Sequence, residues 1–486
     1  MPYQSPPRAP VSARPHQGWT LFLSSLGLFM VALDTLVVAT ALPVLRLDLE
    51  ATLTDLEWTV NAYNLAFACL LLTGAALGDR FGRRRMYAVG LLGFAVASAA
   101  AALSTSVGAL VAARAVQGAF AAVVMPLTLT LISQAFPAEK RGMAIGLWGG
   151  VAGTAVAMGP VVGGAITDGL DWQWIFWLNV PIGLALAPLA LARLTESFGP
   201  RPRLDLVGLA LAGAGFLGLT WGLVRANTVG WASAEVVSAL VAGAVLVASF
   251  LSWQRRARSP MVPLSLFRLR GFTTANGVSF FMYASLFGAL FLMAQFLQTG
   301  LGNSPLEAGL RILPWTATPM VIAPVAGALA DRWGNRPFMA AGLALQAVGL
   351  GWVAAIAQPG MGYAQLSIAL TVAGIGTSMC FPTVANAVMG AVPHQEAGVA
   401  SGTNSAIREL GGVFGVAVLA AVFTGPTVYG TPDAFVDAFK PALWVGAGLA
   451  AGGIVSALLA PPREVQPPEA TTRRTTRPAD VGLTGA

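Results

Sequence analysis

Fourteen runs of about twenty mostly apolar residues, each long enough to cross a bilayer as a helix, divide this 486-residue chain. They fall at approximately 19–43, 57–77, 86–104, 107–133, 141–166, 174–194, 206–224, 234–254, 272–299, 308–330, 338–357, 363–390, 400–426 and 440–460. Composition agrees. Hydrophobic residues make up 56% of the chain and charged residues 10%, against about 25% charged in a soluble domain. The expected class is an all-α polytopic membrane protein. Residues 1–18 are polar and Pro-rich, with no signal-peptide pattern, so the run from Trp19 is expected to remain as an uncleaved first helix. Cys69 and Cys380 both lie inside apolar runs and imply no disulfide framework.

The phrase DRFGRRR at Asp79–Arg85 returns, degraded, as DRWGNRP at Asp331–Pro337, and RGMAIG at Arg141–Gly146 matches AGVASG at Ala397–Gly402. Self-similarity at a fixed distance means a duplicated half. Helices one to six then correspond to nine to fourteen, with seven and eight inserted: a 6+2+6 plan of two pseudo-symmetric six-helix bundles. The expected segments are a cytoplasmic tail 1–18, a first bundle 19–195, inserted helices 205–256, a second bundle 271–460 and a disordered tail 461–486.

Charge orients this plan. With the amino terminus inside and the helices alternating, 22 of the 28 Lys and Arg fall on the cytoplasmic side, with nine of the 21 acids. Arg46, Arg225, Arg311 and Lys440 are the external bases, and Arg114 and Arg408 lie within helices. Lys and Arg concentrate inside in membrane proteins, so the net +7 reads as topology and not as a nucleic-acid footprint. Both termini are expected in the cytoplasm, in the cell membrane.

Single residues narrow the chemistry. Asp34 lies about fifteen residues, or roughly 22 Å, into helix one, where an acid is costly and should face a cavity or a partner. Burial disfavours the charged form of a carboxyl and a nearby cation favours it; a proton carrier needs the two balanced. The alternative is an acid paired permanently with an arginine for structure. Arg114 cannot give up its proton, but it can act on a nearby acid, hold an anion, or serve as an interhelical strut. Arg114, Gln117, Ala121, Met125 and Thr128 share one face of helix four by spacing. Arg408 and Glu409 are adjacent and point about 100° apart, so they serve different neighbours; Glu409 is the only acid within a spanning run of the second half. Asn276, Phe280, Tyr283, Phe287, Ala294 and Gln298 line helix nine, and Trp58, Asn61, Tyr63 and Asn64 cluster on helix two. Aromatic and amide surfaces of this kind suit broad apolar ligands, or simply pack.

The glycines Gly74, Gly78 and Gly82 recur every four residues and permit close helix approach. Asp79 and its basic neighbours Arg80 and Arg83 can engage a helix end or each other as one side opens and closes. Pro160 interrupts helix five beside Gly159, Gly163 and Gly164. Gly142, Gly146, Gly149, Gly150 and Gly153 on the same helix also allow close packing. Asp331, Arg332, Gly327 and Gly334 repeat the loop in the second half.

The loop at Gly74–Arg85 resembles the signature of the major facilitator superfamily. That pattern has Gly four residues before the Asp; the first copy has Ala75 there, the second the expected Gly327. LDTLVVATALP at Leu33–Pro43 resembles the first-helix signature of the fourteen-spanner drug/proton antiporters, RAVQGAFAA at Arg114–Ala122 the fourth-helix signature with its buried arginine, GTAVAMGPVVGG at Gly153–Gly164 the fifth-helix antiporter signature, and Gly398–Val418 the thirteenth helix. The resemblance implies a major facilitator fold and proton-coupled antiport that exports hydrophobic small molecules, cations among them, by alternating access. The candidate proton-coupling residues are Asp34, Arg114, Arg408 and Glu409. The candidate substrate contacts are Asn61, Tyr63, Gln117, Met125, Asn276, Phe280, Tyr283 and Phe287. Its partners would be protons, a small-molecule substrate and the bilayer, with a monomer as the working unit.

Other classes fare worse. A nucleotide-binding loop needs G-K-[ST], but Lys140 precedes Arg141 and Lys440 precedes Pro441. His16 and His394 lie outside the apolar runs, and no HExxH occurs, so neither a metal enzyme nor any cofactor is expected. A dedicated exporter or symporter of one metabolite remains as an alternative, and more remotely a non-transporting membrane sensor.

Overall fold

A computed structural model describes residues 17–198, 205–258, 260, 262, 264–392, 397–423 and 430–462. Apart from Gln17, Gly18, Pro461 and Pro462, the expected tails 1–18 and 461–486 lie outside the described residues, as do His16, His394, the surroundings of Gly142 and Gly146 and the side chain of Asp331. Among the described residues all regular structure is helical, and 14 helical segments are long and apolar enough to cross a membrane. The chain is a multi-pass membrane protein.

In order the helices are α1 (Gln17–Asp48), α2 (Leu53–Phe81), α3 (Arg83–Ala102), α4 (Val107–Ala135), α5 (Ala138–Gly169), the short α6 (Trp174–Trp177) running into α7 (Asn179–Arg193), α8 (Leu206–Val229) and α9 (Ala234–Gln254). Then come α10 (Arg270–Gln295), a span in three pieces α11 (Pro305–Arg311), α12 (Leu313–Thr316) and α13 (Pro319–Trp333), and α14 (Asn335–Ile356), α15 (Tyr363–Gly390), α16 (Ala397–Val422) and α17 (Pro432–Leu458).

Several helices begin earlier than their apolar runs because capping residues, not hydropathy, start them. Thr52 caps α2 in a reciprocal pair with Asp55, Ser304 does the same for α11 with Glu307, and Thr431 caps α17 ahead of Pro432. Glu57, Arg311 and Lys440, counted from the sequence as external charges at or near the ends of their apolar runs, lie within helices, and so do Glu307, Asp433 and Asp437. Glu409 is thus not the only acid in a second-half helix. Among the described side chains of α10–α17 it is the buried one, whereas Glu307, Asp433 and Asp437 are exposed.

The core divides in a way that defines two ends. Toward the end holding Trp172 and Trp315, one hydrophobic cluster runs unbroken from α1 (Leu36, Val37, Leu42) to α10 (Leu290, Phe291) and α17 (Phe439). Toward the opposite end, which carries Arg83–Arg85 and Arg336, the core splits in two. One part is built on Met30, Phe67, Phe94 and Leu127, the other on Phe272, Met282, Leu343 and Val384. We call these the joined end and the basic-loop end. Helices α8 and α9 pack on each other, and α8 also rests on α2 and α16.

Candidate functional site

Close backbone approach builds the site. On α4, a Cβ at Gly118 would overlap the carbonyl of Tyr63 on α2. At Gly74 and Gly78 of α2 it would meet the Ala122 carbonyl and the Leu127 side chain of α4. Small residues at these crossings bring the two helices together and put Arg114, one turn before Gly118, within reach of α1.

Arg114 and Asp34 form a buried ion pair, Nη1 to Oδ2 2.5 Å, with the residues 1% and 2% exposed. The other carboxylate oxygen, Oδ1, accepts from Gln117 Nε2 and from Asn179 Nδ2, each at 2.8 Å. Gln117 turns its own carbonyl to Arg114 Nη1 (2.6 Å), and Arg114 Nε donates to the Thr59 carbonyl (3.4 Å). Ser98 accepts from Gln117 and Asn179 and donates to the Phe176 carbonyl. The Tyr63 ring lies 4.2 Å from the Arg114 guanidinium carbon, and Phe176 covers it more distantly. Three donors converge on Asp34, the arrangement an ionised carboxylate requires as an acceptor-only group. The apolar surround makes the pair strong and also makes breaking it costly. Asn179, Ser98 and Thr59 were not singled out in the sequence. Asn179 is the one amide between Trp174 and Arg193, a faint signal that was there to be read.

Across the molecule, Arg408 stands over the Tyr283 ring at 5.1 Å, and Tyr283 stacks on Phe287 with centroids 5.4 Å apart. Phe280 pairs with Phe414, and Asn276 accepts from Asn404 at 3.0 Å. The carboxylates of Asp34 and Glu409 both act electrostatically on the Tyr63 hydroxyl. The side-chain amides of Asn61 and Asn64, with Thr403 Oγ1 and Arg408 Nε, are buried without a hydrogen-bond partner among the described residues. Glu57, one turn before Asn61 on the same face of α2, is fully buried too; the sequence reading had counted it among the external charges. Met125, about three turns along α4 from Arg114, is half-buried against the core.

The proline-glycine segment of α5 lies at the joined end. A Cβ at Gly159 would press on Leu36, one at Gly163 on Thr40 and Val37, and one at Gly164 on the Pro305 carbonyl. In return Gly309 of α11 meets the Pro160 carbonyl. Gln298 Nε2 donates across to the Thr40 carbonyl at 2.8 Å. By contrast Gly149, Gly150 and Gly153, expected to pack closely, face open space with nothing within 4 Å. They lie toward the basic-loop end, where the core is divided.

The loop motif resolves into separate jobs. Gly74 and Gly78 are packing positions. Gly82 has φ +105° and makes the break between α2 and α3, a backbone state that favours glycine. Asp79 pairs with Arg83 at 2.6 Å across that break. Glu196 accepts from the Arg84 backbone N–H at 3.0 Å, and Arg84 also donates to the Leu191 and Leu194 carbonyls. Arg80 is exposed. In the second copy Gly334 (φ +85°) makes the equivalent break, Arg332 is exposed, and Gly327 has ordinary contact, 3.5 Å, with Pro382.

The model of the Major Facilitator Superfamily matches residues 24–255 and 275–483. The tetracenomycin C resistance and export protein of Streptomyces glaucescens is 36% identical over 436 residues, covering 89% of this chain and 81% of its own. The multidrug efflux pump LfrA of Mycolicibacterium smegmatis is 35% identical over 421 residues, 84% of this chain and 82% of its own. Among solved structures, a POT family transporter in complex with 5-aminolevulinic acid superposes with a TM-score of 0.67 at 12% identity, over 90% of this chain and 94% of that one.

Proposed function

The chain belongs to the major facilitator superfamily and is a transport protein, not an enzyme; from that premise we propose that it exports hydrophobic drug-like molecules in exchange for protons. Relatives named for resistance and efflux support the export reading. The proton half rests on one observation, the buried Asp34–Arg114 pair with its Gln117 and Asn179 donors.

The proposed cycle runs as follows. The basic-loop end faces the cytoplasm, as the distribution of Lys and Arg supports, and the α1–α7 and α10–α17 sets act as the two bundles of a 6+2+6 plan. With the joined end closed, substrate enters from the cytoplasm toward Asn61, Tyr63, Tyr283 and Phe287. Asp34 is then ionised and neutralised by Arg114. When the bundles rock and the joined end opens outward, a proton arriving at Asp34 removes its charge and frees Arg114. Substrate leaves to the outside, and release of the proton inward restores the ion pair. Glu409, near Tyr63 on the facing set, is the second proton site. Each charge moved inward yields about 2.3 kcal/mol per 100 mV, beside the pH difference. Buried amides such as Asn61 without a protein partner are costly, about 1–3 kcal/mol each, and are met by polar atoms of substrate or by water.

The test uses proteoliposomes with an acid interior and the basic-loop end facing outward, the orientation checked by sidedness controls. A fluorescent lipophilic cation should accumulate against its gradient while the pH difference lasts and leak back when a protonophore collapses it. Accumulation indifferent to the pH difference defeats the reading.

A further inference from the structure

A groove of about 1200 Å³ opens between α2, α8, α9 and α16, beside the seam where α2 meets α16 and apart from the ion pair. We infer that it binds one anionic phospholipid from the leaflet on the basic-loop side.

Its walls have the polarity of an amphiphile. Leu72, Phe216, Phe250 and Ile407 line it within the membrane-spanning segments, and Arg255 and Arg268 line it just beyond the ends of α9 and before α10. Apolar wall at hydrocarbon depth and guanidinium groups at headgroup depth match acyl chain and phosphate. Basic pockets between helices hold anionic headgroups, and Arg binds phosphate bidentately.

The charge is one-sided. Residues 255–270 carry five arginines and no acid, and no acid lines the groove. Among the described residues neither Arg255 nor Arg268 makes an ion pair, and both are exposed. The nearby carboxylate of Asp205 accepts instead from the Gly208 N–H, Trp253 and Gln254. Gln254 in turn accepts from the Val262 N–H at 3.2 Å. These bonds tie the start of α8 to the end of α9 and fix the linker that presents both arginines. The volume also exceeds the usual drug-sized pocket of about 300–1,000 Å³. The inserted helices thus gain a role, holding a lipid against the α2–α16 seam.

The test is lipid retention by the full chain, read by native mass spectrometry after extraction from bilayers of phosphatidylglycerol and phosphatidylcholine. The wild type should keep one phosphatidylglycerol in strong preference to phosphatidylcholine. The Arg255→Gln/Arg268→Gln variant should lose that retention at least tenfold, and Arg256→Gln/Arg258→Gln, which removes the same charge outside the groove, should keep it. Equal retention of the two lipids by the wild type overturns the inference without any variant. So does equal loss in both variants, which marks diffuse surface charge. Displacement of the lipid by a lipophilic dye also overturns it, marking a substrate portal. None of these readouts depends on transport.

Discussion

Arg114 and Asp34, 80 positions apart in the chain, meet at 2.5 Å in a fully buried site. The pair is not a lone contact. Gln117 bonds to both partners, so the guanidinium and the carboxylate are held by the same amide.

Removing the cation should therefore hurt stability as well as transport. Arg114→Ala leaves a buried carboxylate unpaired, and breaking such pairs costs about 3–5 kcal/mol. Its thermal midpoint in detergent should fall clearly and export should be lost. Arg114→Lys keeps the charge but cannot reach Asp34, Gln117 and Thr59 together; it should recover most stability and only part of the export rate.

The glycines of α5 should sort by end. Gly164→Leu and Gly309→Leu overfill the joined end, where close packing leaves no room; overpacking costs about 1–3 kcal/mol. Spin-label distances across the joined end should lengthen and export should fall more than tenfold. Gly149→Ala, facing open space, should leave both unchanged.

Asn61→Leu separates packing from binding. The buried Asn61 amide has no protein partner among the described residues, so an apolar side chain of similar size should leave the thermal midpoint unchanged or slightly higher. The KM for a lipophilic cation should rise several-fold. A lower midpoint with an unchanged KM would make Asn61 a structural residue.

The loop ion pair should matter kinetically and little for stability. Asp79 is partly exposed and Arg83 lies at the edge of burial, with side chains 22% and 10% accessible, and pairs open to solvent on one side contribute little, about 0–1 kcal/mol when fully exposed. Asp79→Asn should shift the thermal midpoint by a degree or two at most, while stopped-flow dye export slows.

The helices were legible because hydrophobicity over twenty residues is a strong signal, and Asp34 and Arg114 stood out as charges inside such runs. Their meeting was not legible, since nothing in either run specifies which helix crosses which; that follows from the Gly118–Tyr63 approach. Asn179 and Ser98 escaped because neutral polar side chains barely alter an apolar run. Glu57 escaped because it opens the apolar run and was counted with the external charges, whereas capping by Thr52 and Asp55 carries α2 a turn beyond it. The glycines of α5 looked alike in sequence. Only the divided core tells Gly164, pressed against α11, from Gly149, facing open space.

The central claim is that Asp34 carries the exchanged proton, and it is tested most directly by recording proton and dye fluxes together in proteoliposomes containing Asp34→Asn. With a permanently neutral side chain, the account predicts that dye-induced proton release disappears and uphill export with it, while the protein still inserts and binds dye. Uphill export at the wild-type rate, with an unchanged number of protons per dye, would contradict it.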